Sequence, residues 1–120
     1  MNKSRKYVKK IRSTNVYDVA NKSPITKAEG LSLEYGNNIL LKREDMQPVF
    51  SFKLRGAYNK LSKLNKKGIN KSVIAASAGN HAQGVAFASL KLGLKATIVM
   101  PVTTPSIKID SVKRFGAKII

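Results

Sequence analysis

Apolar residues in the second half of the chain alternate between two periods. Leu54, Ala57, Tyr58, Leu61 and Leu64 fall at i, i+3, i+4, i+7 and i+10, which predicts an amphipathic helix starting at Lys53. Ser51 is placed to cap that helix, and Lys66, Lys67 and Gly68 are placed to close it with basic charge and a left-handed glycine. Val73 and Ile74 mark a strand over 72–76. A helix over 81–92 follows, with a small-residue face of Ala82, Val85, Ala86 and Ser89 and a stop at Gly93. The run A-T-I-V-M predicts a strand over 95–100. Thr104-Pro105 reads as a helix start, and that helix runs to Phe115 and stops at Gly116. Residues 117–120 open another strand. Strand, helix, strand, helix, strand at these lengths requires a parallel sheet with right-handed crossovers and flanking helices, an α/β fold.

The first half is patterned more weakly. Residues 1–15 are polar and basic, either loosely ordered or a short helix. An apolar patch at 16–20 is broken by Ser23-Pro24. Residues 26–35 read as a short helix with Ala28, Leu31 and Tyr35 on one side and Gly36 as its stop. Residues 38–42 read as a strand, and 43–51 as a loop punctuated by Pro48. The expected division is a segment over 1–45 that belongs to a neighbouring domain, and a partial small α/β domain over 46–120. The last strand breaks off at Ile120 with an apolar edge, so a truncated sequence or a piece of a longer chain is expected.

Composition narrows the chemistry. The 120 residues suit one small domain or part of a larger one, and 42% apolar content argues against global disorder. No run of 18 apolar residues occurs, so no membrane partner is expected. Cysteine is absent, which excludes disulfides and thiolate sites, and one His with six acids disfavours a metal site; no metal is expected. The net charge of +17 raises nucleic acid as a partner. The 18 lysines are scattered against five arginines, and the four Tyr and four Phe are not interleaved with the basic runs, so dedicated nucleic-acid binding is disfavoured. No apolar segment follows the basic start, as a secretory signal requires, and no long arginine- and serine-rich stretch occurs; a cytoplasmic location is expected.

Two stretches carry candidate chemistry. S-A-G-N-H-A-Q-G at 77–84 leaves the end of a parallel strand and opens a helix, where ligands of open α/β sheets bind. The first amides of that helix favour an anion, and Ser77, Gly79, Asn80 and His81 crowd small and polar groups there. The alternative is a plain turn in which Ser77 or Asn80 merely caps. Neither G-x-G-x-x-G nor G-x-x-x-x-G-K-[ST] is present, which disfavours a nucleotide. The other stretch is Q-P-V-F-S-F-K-L-R-G-A at 47–57. Lys53 opens a helix there, where the dipole and desolvation would lower its pKa, as a covalently acting lysine needs. The alternative for any one of 18 lysines is a solvated surface cation.

Together the two stretches resemble the threonine dehydratase family of pyridoxal-phosphate enzymes, which have the tryptophan-synthase-β-like fold, fold type II. The resemblance runs from about Val16 to Ile120. It rests on K-R-E-D-M-Q-P-V-F-S-F-K-L-R-G-A-Y at 42–58, S-A-G-N-H-A-Q-G-V-A at 77–86, A-T-I-V-M-P at 96–101 and I-K-I-D-S-V-K-R-F-G-A at 107–117. The wording Q-P-V-x-S-F-K-L-R-G-A resembles that of the biosynthetic members. Serine racemases and catabolic relatives more often carry a threonine-glycine pair before Ser-Phe-Lys.

The resemblance implies a lyase that uses pyridoxal 5'-phosphate to convert L-threonine, with L-serine as the other candidate substrate, to an oxo acid and ammonia. For threonine the oxo acid is 2-oxobutanoate, the first step of isoleucine biosynthesis. Lys53 would bond the cofactor and then take the substrate's Cα proton. Phe52 would pack on the cofactor ring, and Asn80 would hydrogen-bond its phenolic oxygen. Ser77, Gly79, Asn80 and His81 would bind the substrate carboxylate. Residues 1–45 would belong to the family's larger cofactor domain, and a full-length form would be a homo-oligomer. The family's glycine-rich phosphate loop is not among these 120 residues, so this chain alone is expected to bind the cofactor weakly and not to turn over threonine. The competing expectation is a non-catalytic basic remnant that binds RNA or another anionic partner through its lysines.

Overall fold

The computed structural model describes residues 3–66 and 72–120. In chain order its elements are α1 (Lys3–Arg12), β1 (Ile25–Lys27), α2 (Glu29–Glu34), β2 (Leu40–Lys42), α3 (Lys53–Lys66), β3 (Ser72–Ala76), α4 (Asn80–Leu92), β4 (Lys95–Val99), α5 (Ser106–Lys113) and β5 (Lys118–Ile119). Short 3-10 turns at Val16–Asp18 and Glu44–Met46 join the first elements. β3, β4 and β5 lie side by side in that order and run parallel, with Ile74 opposite Thr97 and Ile98 opposite Ile119. α4 and α5 are the crossovers that a parallel sheet requires. β1 and β2 form a separate antiparallel pair with Thr26 opposite Leu41.

Residues 26–35 are not the single helix that their spacing suggests. Ile25 and Thr26 are β-branched and pair with β2 instead, because branched side chains suit a pleated strand and a partner is at hand. Only Glu29–Glu34 is helical. Its expected apolar face is not buried: Leu31 is 44% and Tyr35 60% exposed. Its buried residue is Ser32, whose hydroxyl accepts the Ile39 N–H at 3.0 Å and so fixes the approach to β2. Gly36 stops the helix with φ +58.

α3 keeps its expected stripe, with Leu54, Ala57, Tyr58 and Leu61 buried and Leu64 packed at the rim of the core. Ser51 does not cap it. The first turn closes through the Arg55 N–H to the Phe52 carbonyl at 3.0 Å, one residue nearer the helix, and Ser51 Oγ is buried without a hydrogen-bond partner. Of the expected closing signal, Lys66 ends the helix, while Lys67 and Gly68 lie outside the described residues. α5 ends at Lys113, two residues before Phe115, and Pro105 sits just outside its first turn.

α4 is the centre of the packing. Every residue from Ala82 to Ser89 is buried, between the sheet on one side and α3 on the other. Phe87 reaches the ring of Phe115 edge-on at 5.3 Å and ties α4 to the end of α5. Small residues on α4 let α3 come close, and the limit is reached at Gly84. A Cβ there would stand 3.0 Å from the Lys53 carbonyl carbon and 3.1 Å from both the Lys53 oxygen and the Leu54 nitrogen. Those are backbone atoms of a helix start and have little room to yield.

Gly84→Ala is therefore expected to destabilise the protein by about 1–3 kcal/mol, although alanine is intrinsically the better helix former by about 1 kcal/mol. Gly56→Ala, on α3 with nothing within 4 Å of the added methyl, is expected to stabilise it by about 0.5–1 kcal/mol. Urea unfolding of the two variants beside the parent checks both signs.

Candidate active site

The turn from β3 into α4 is built by its own backbone. The Ser77 N–H donates to the Val99 carbonyl at 3.0 Å, which ties the turn to the end of β4. The Gly79 N–H donates to Ser77 Oγ at 3.3 Å. No side chain caps α4, so neither Ser77 nor Asn80 is spent on that task. The first amides of a helix lack an intrahelical acceptor and sit at the positive end of its dipole. A Cβ on Gly79 would meet nothing within 4 Å, so the space over the turn is open.

Gly84 brings the predicted site residues together. Asn80 precedes it by four residues and shares its face of α4, about 6 Å back along the axis. The Lys53–Leu54 peptide rests against Gly84. Lys53 therefore starts α3 about one helical turn from the uncapped start of α4. Its side chain is exposed, so the desolvation expected around it is not there. Its Nζ stands 5.0 Å from the centroid of the Phe52 ring, which is itself 58% exposed. His81 is exposed and turns another way, bordering a groove of about 420 Å³ between α3 and β3 with Gly56 and Ala57.

These residues fit the ring half of pyridoxal phosphate. An exposed primary amine, an exposed amide at the neighbouring helix start and the open space left by Gly79 are what an aldehyde-bearing ring with a phenolic oxygen needs. The uncapped amides of α4 suit the carboxylate of an amino-acid substrate.

A supporting shell was not legible in the sequence. Arg55 Nε donates to Glu44 Oε2 at 2.8 Å and Nη2 donates to Glu44 Oε1 at 3.0 Å, a two-pronged pair across 11 residues. Ser23 Oγ donates to the same Glu44 oxygen at 2.5 Å, and Gln47 Nε2 reaches it at 3.4 Å. Gln47, 1% exposed, also brackets Asn21: it accepts the Asn21 N–H and donates to the Asn21 carbonyl, both at 2.9 Å. Tyr58 donates to Asp18 at 3.1 Å. The Arg55 fork is the largest cause that holds the Glu44 carboxyl down to about 2; Ser23 and Gln47 add to it, while burial works against them. The signals that existed were a glycine inside the α4 pattern, which points to close packing, and an acid and a base with no helical spacing between them.

Phe50 is the one non-glycine residue with positive φ among the described residues, at +55°. Its ring is 67% exposed, with the Arg114 guanidinium 6.0 Å from its centroid and 5.0 Å from that of Phe115.

The model of the family described as pyridoxal-phosphate dependent enzyme matches residues 16–120. The chain belongs to that family. It is 59% identical over 114 residues to threonine dehydratase 1 biosynthetic, chloroplastic, of Solanum lycopersicum, covering 95% of this chain and 19% of that protein. It is 57% identical over 114 residues to threonine dehydratase, mitochondrial, of Saccharomyces cerevisiae, covering 95% and 20%. The processed form of threonine deaminase isoform 2 from Solanum lycopersicum superposes with a TM-score of 0.88 at 52% identity, over 100% of this chain and 34% of that one. The chain thus spans about a fifth of the length of the curated relatives it matches. Among the described residues no helix is long and apolar enough to cross a membrane.

The depressed Glu44 value sets a pH dependence. The carboxyl ionises more readily folded than unfolded, so its contribution is complete above its ordinary 4.5 and is lost as the pH falls toward about 2. Glu44→Gln is expected to flatten that acid limb. It should also lower stability near neutrality by about 1.5–3 kcal/mol, the range for hydrogen bonds to a charged group. Urea midpoints from pH 7 to 2 for parent and variant check both effects.

Proposed function

We propose that this chain carries the lysine-bearing, ring-binding part of a pyridoxal-phosphate-dependent L-threonine dehydratase, which yields 2-oxobutanoate and ammonia in the first step of isoleucine biosynthesis. The observation that supports it is the juxtaposition at Gly84, which sets Lys53 one turn from Asn80 and the uncapped start of α4. Identity of 59% and 57% to threonine dehydratases points to threonine.

Each residue has a task in this reading. Lys53 would hold the cofactor through Nζ and, once released from it, would take the Cα proton with the same nitrogen. Phe52 lies against the ring face. Asn80 donates to the phenolic oxygen and fixes the ring plane. Ser77, Gly79 and Asn80, with His81 contributing its backbone N–H rather than its ring, hold the substrate carboxylate against the α4 dipole, which orients the Cα–H bond toward Lys53. When bound, pyridoxal phosphate supplies the electron sink for the charge left at Cα. The β-hydroxyl leaves as water, and one water is taken up again when the C–N bond is hydrolysed. The two waters cancel, so threonine equals 2-oxobutanoate plus ammonia in composition, the keto oxygen coming from the hydrolytic water.

The reading assigns residues 1–45 to the larger cofactor domain and 46–120 to the small one, in a homo-oligomer when full length and in the cytoplasm. The tomato and yeast relatives carry chloroplastic and mitochondrial names, so cell fractionation decides the compartment. The six cations of α1, with no acid among them, favour a second reading as a binder of RNA. That reading requires log affinity to fall linearly with log salt and to ignore Lys53→Ala.

Added pyridoxal phosphate followed by borohydride is expected to label Lys53 ahead of the other 17 lysines, and Lys53→Ala to remove that label. Peptide mass analysis reads it, and equal labelling of all lysines would overturn the proposal. The 120-residue chain by itself is proposed not to turn over threonine. Ammonia release above that of Lys53→Ala would show the opposite.

A further inference from the structure

We infer that Glu44 and Arg55 are positioning residues for Lys53, an inference that rests on the role proposed above for that lysine. Lys53 is the first residue of α3, at a helix end that no side chain of Ser51 secures. The first turn of a helix has unpaired amides and frays unless something outside holds it. A reacting amine displaced by about 1 Å loses up to about a hundredfold in rate, so the turn that carries it has to be fixed.

Two grips fix it. Gly84 presses on the Lys53–Leu54 peptide from the α4 side. Arg55 is two residues on, about 200° around the helix, and pulls from the opposite side. Its guanidinium holds both Glu44 oxygens, at 2.8 and 3.0 Å, and the Asn21 carbonyl at 3.2 Å. A planar fork engaged at both prongs fixes orientation as well as distance, which a lysine cannot do. The anchor is itself anchored, because Ser23 and Gln47 hold Glu44 and Gln47 brackets Asn21. The neighbouring Arg43–Asp45 pair is as short, at 2.6 Å, but it is local and exposed. Among the described residues neither side chain of that pair hydrogen-bonds to α3, so it serves as the internal control.

The test uses the 120-residue chain with pyridoxal phosphate and borohydride, and reads the share of label on Lys53 relative to all other lysines. Glu44→Gln and Arg55→Lys are expected to cut that share about tenfold. Asp45→Asn is expected to leave it unchanged. So is Ile98→Val, a conservative change at a fully buried site in β4, compared at a urea concentration that matches its folded fraction to that of the test variants. Retention of the parental share in both Glu44→Gln and Arg55→Lys would overturn the inference and leave the role of Lys53 standing. An equal loss in Ile98→Val would overturn it as well, by showing that lowered stability is enough. No preference for Lys53 in the parent would remove the proposed role of that lysine and this inference with it. Should Arg55→Lys not fold by circular dichroism, the isosteric Glu44→Gln carries the test.

Discussion

The approach of α4 to the first peptide of α3 sets the rest of the arrangement. Two helices can come this near only where one lacks a side chain, and Gly84 is placed where the contact is tightest. Its effects run both ways along α4. Toward the C-terminus the helix is free to bury Val85 to Ser89 against the sheet and to set Phe87 against Phe115. Toward the N-terminus the same contact fixes the height at which Asn80 and the uncapped amides stand relative to Lys53. A bulkier residue would push α3 outward. The core could accept another apolar pair there by repacking, but the distance from the lysine to the helix start would change.

Charge placement complements that steric constraint. The chain has 23 cations and only six acids, so each acid has many potential partners. Lys27–Glu29 and Arg43–Asp45 are exposed local pairs, and such pairs contribute little. Glu44 is different: its side chain is 17% exposed, its partner Arg55 23%, and two more donors complete its shell. Half-buried and fully satisfied, it is the acid whose loss leaves polar groups stranded. The one carboxylate with that environment lies beside the helix start that bears Lys53.

Much of the fold was legible because its signals are local. The α3 stripe, the strands of the parallel sheet and the glycine stops of α2 and α4 each depend on a few adjacent residues, and each formed as read. Residues 25–27 went to a strand because a partner 15 positions away decided it, and helical spacing alone does not register a partner. Ser51 misled for a related reason: its neighbours fit a cap, yet the turn closed one residue later and left its hydroxyl buried. Of the site, Lys53, Asn80 and Gly79 could be marked as candidates because helix starts and strand ends are visible in a sequence. Glu44, Gln47 and Asn21 could not, since their importance lies in contacts spanning 3 to 34 positions with no periodicity.

Phe50 draws these strands together. A left-handed backbone at a residue with a Cβ costs about 1 kcal/mol or more, and glycine takes the same conformation without penalty. The threonine-glycine pair that serine racemases and catabolic relatives more often carry before Ser-Phe-Lys would put a glycine in that position, as the geometry favours. Here phenylalanine occupies it three residues before Lys53, at φ +55°, with its ring largely in solvent and Arg114 nearby. Burial therefore does not offset the strain. What offsets it is over-determination by the surroundings: Gln47 and Val49 are buried on one side, and Leu54 is fully buried on the other. The chain between them has to reverse within a few residues to deliver Lys53 to α4. The strained residue, the glycine contact and the arginine fork thus converge on one helical turn, and the stability given up at Phe50 fixes where that turn begins.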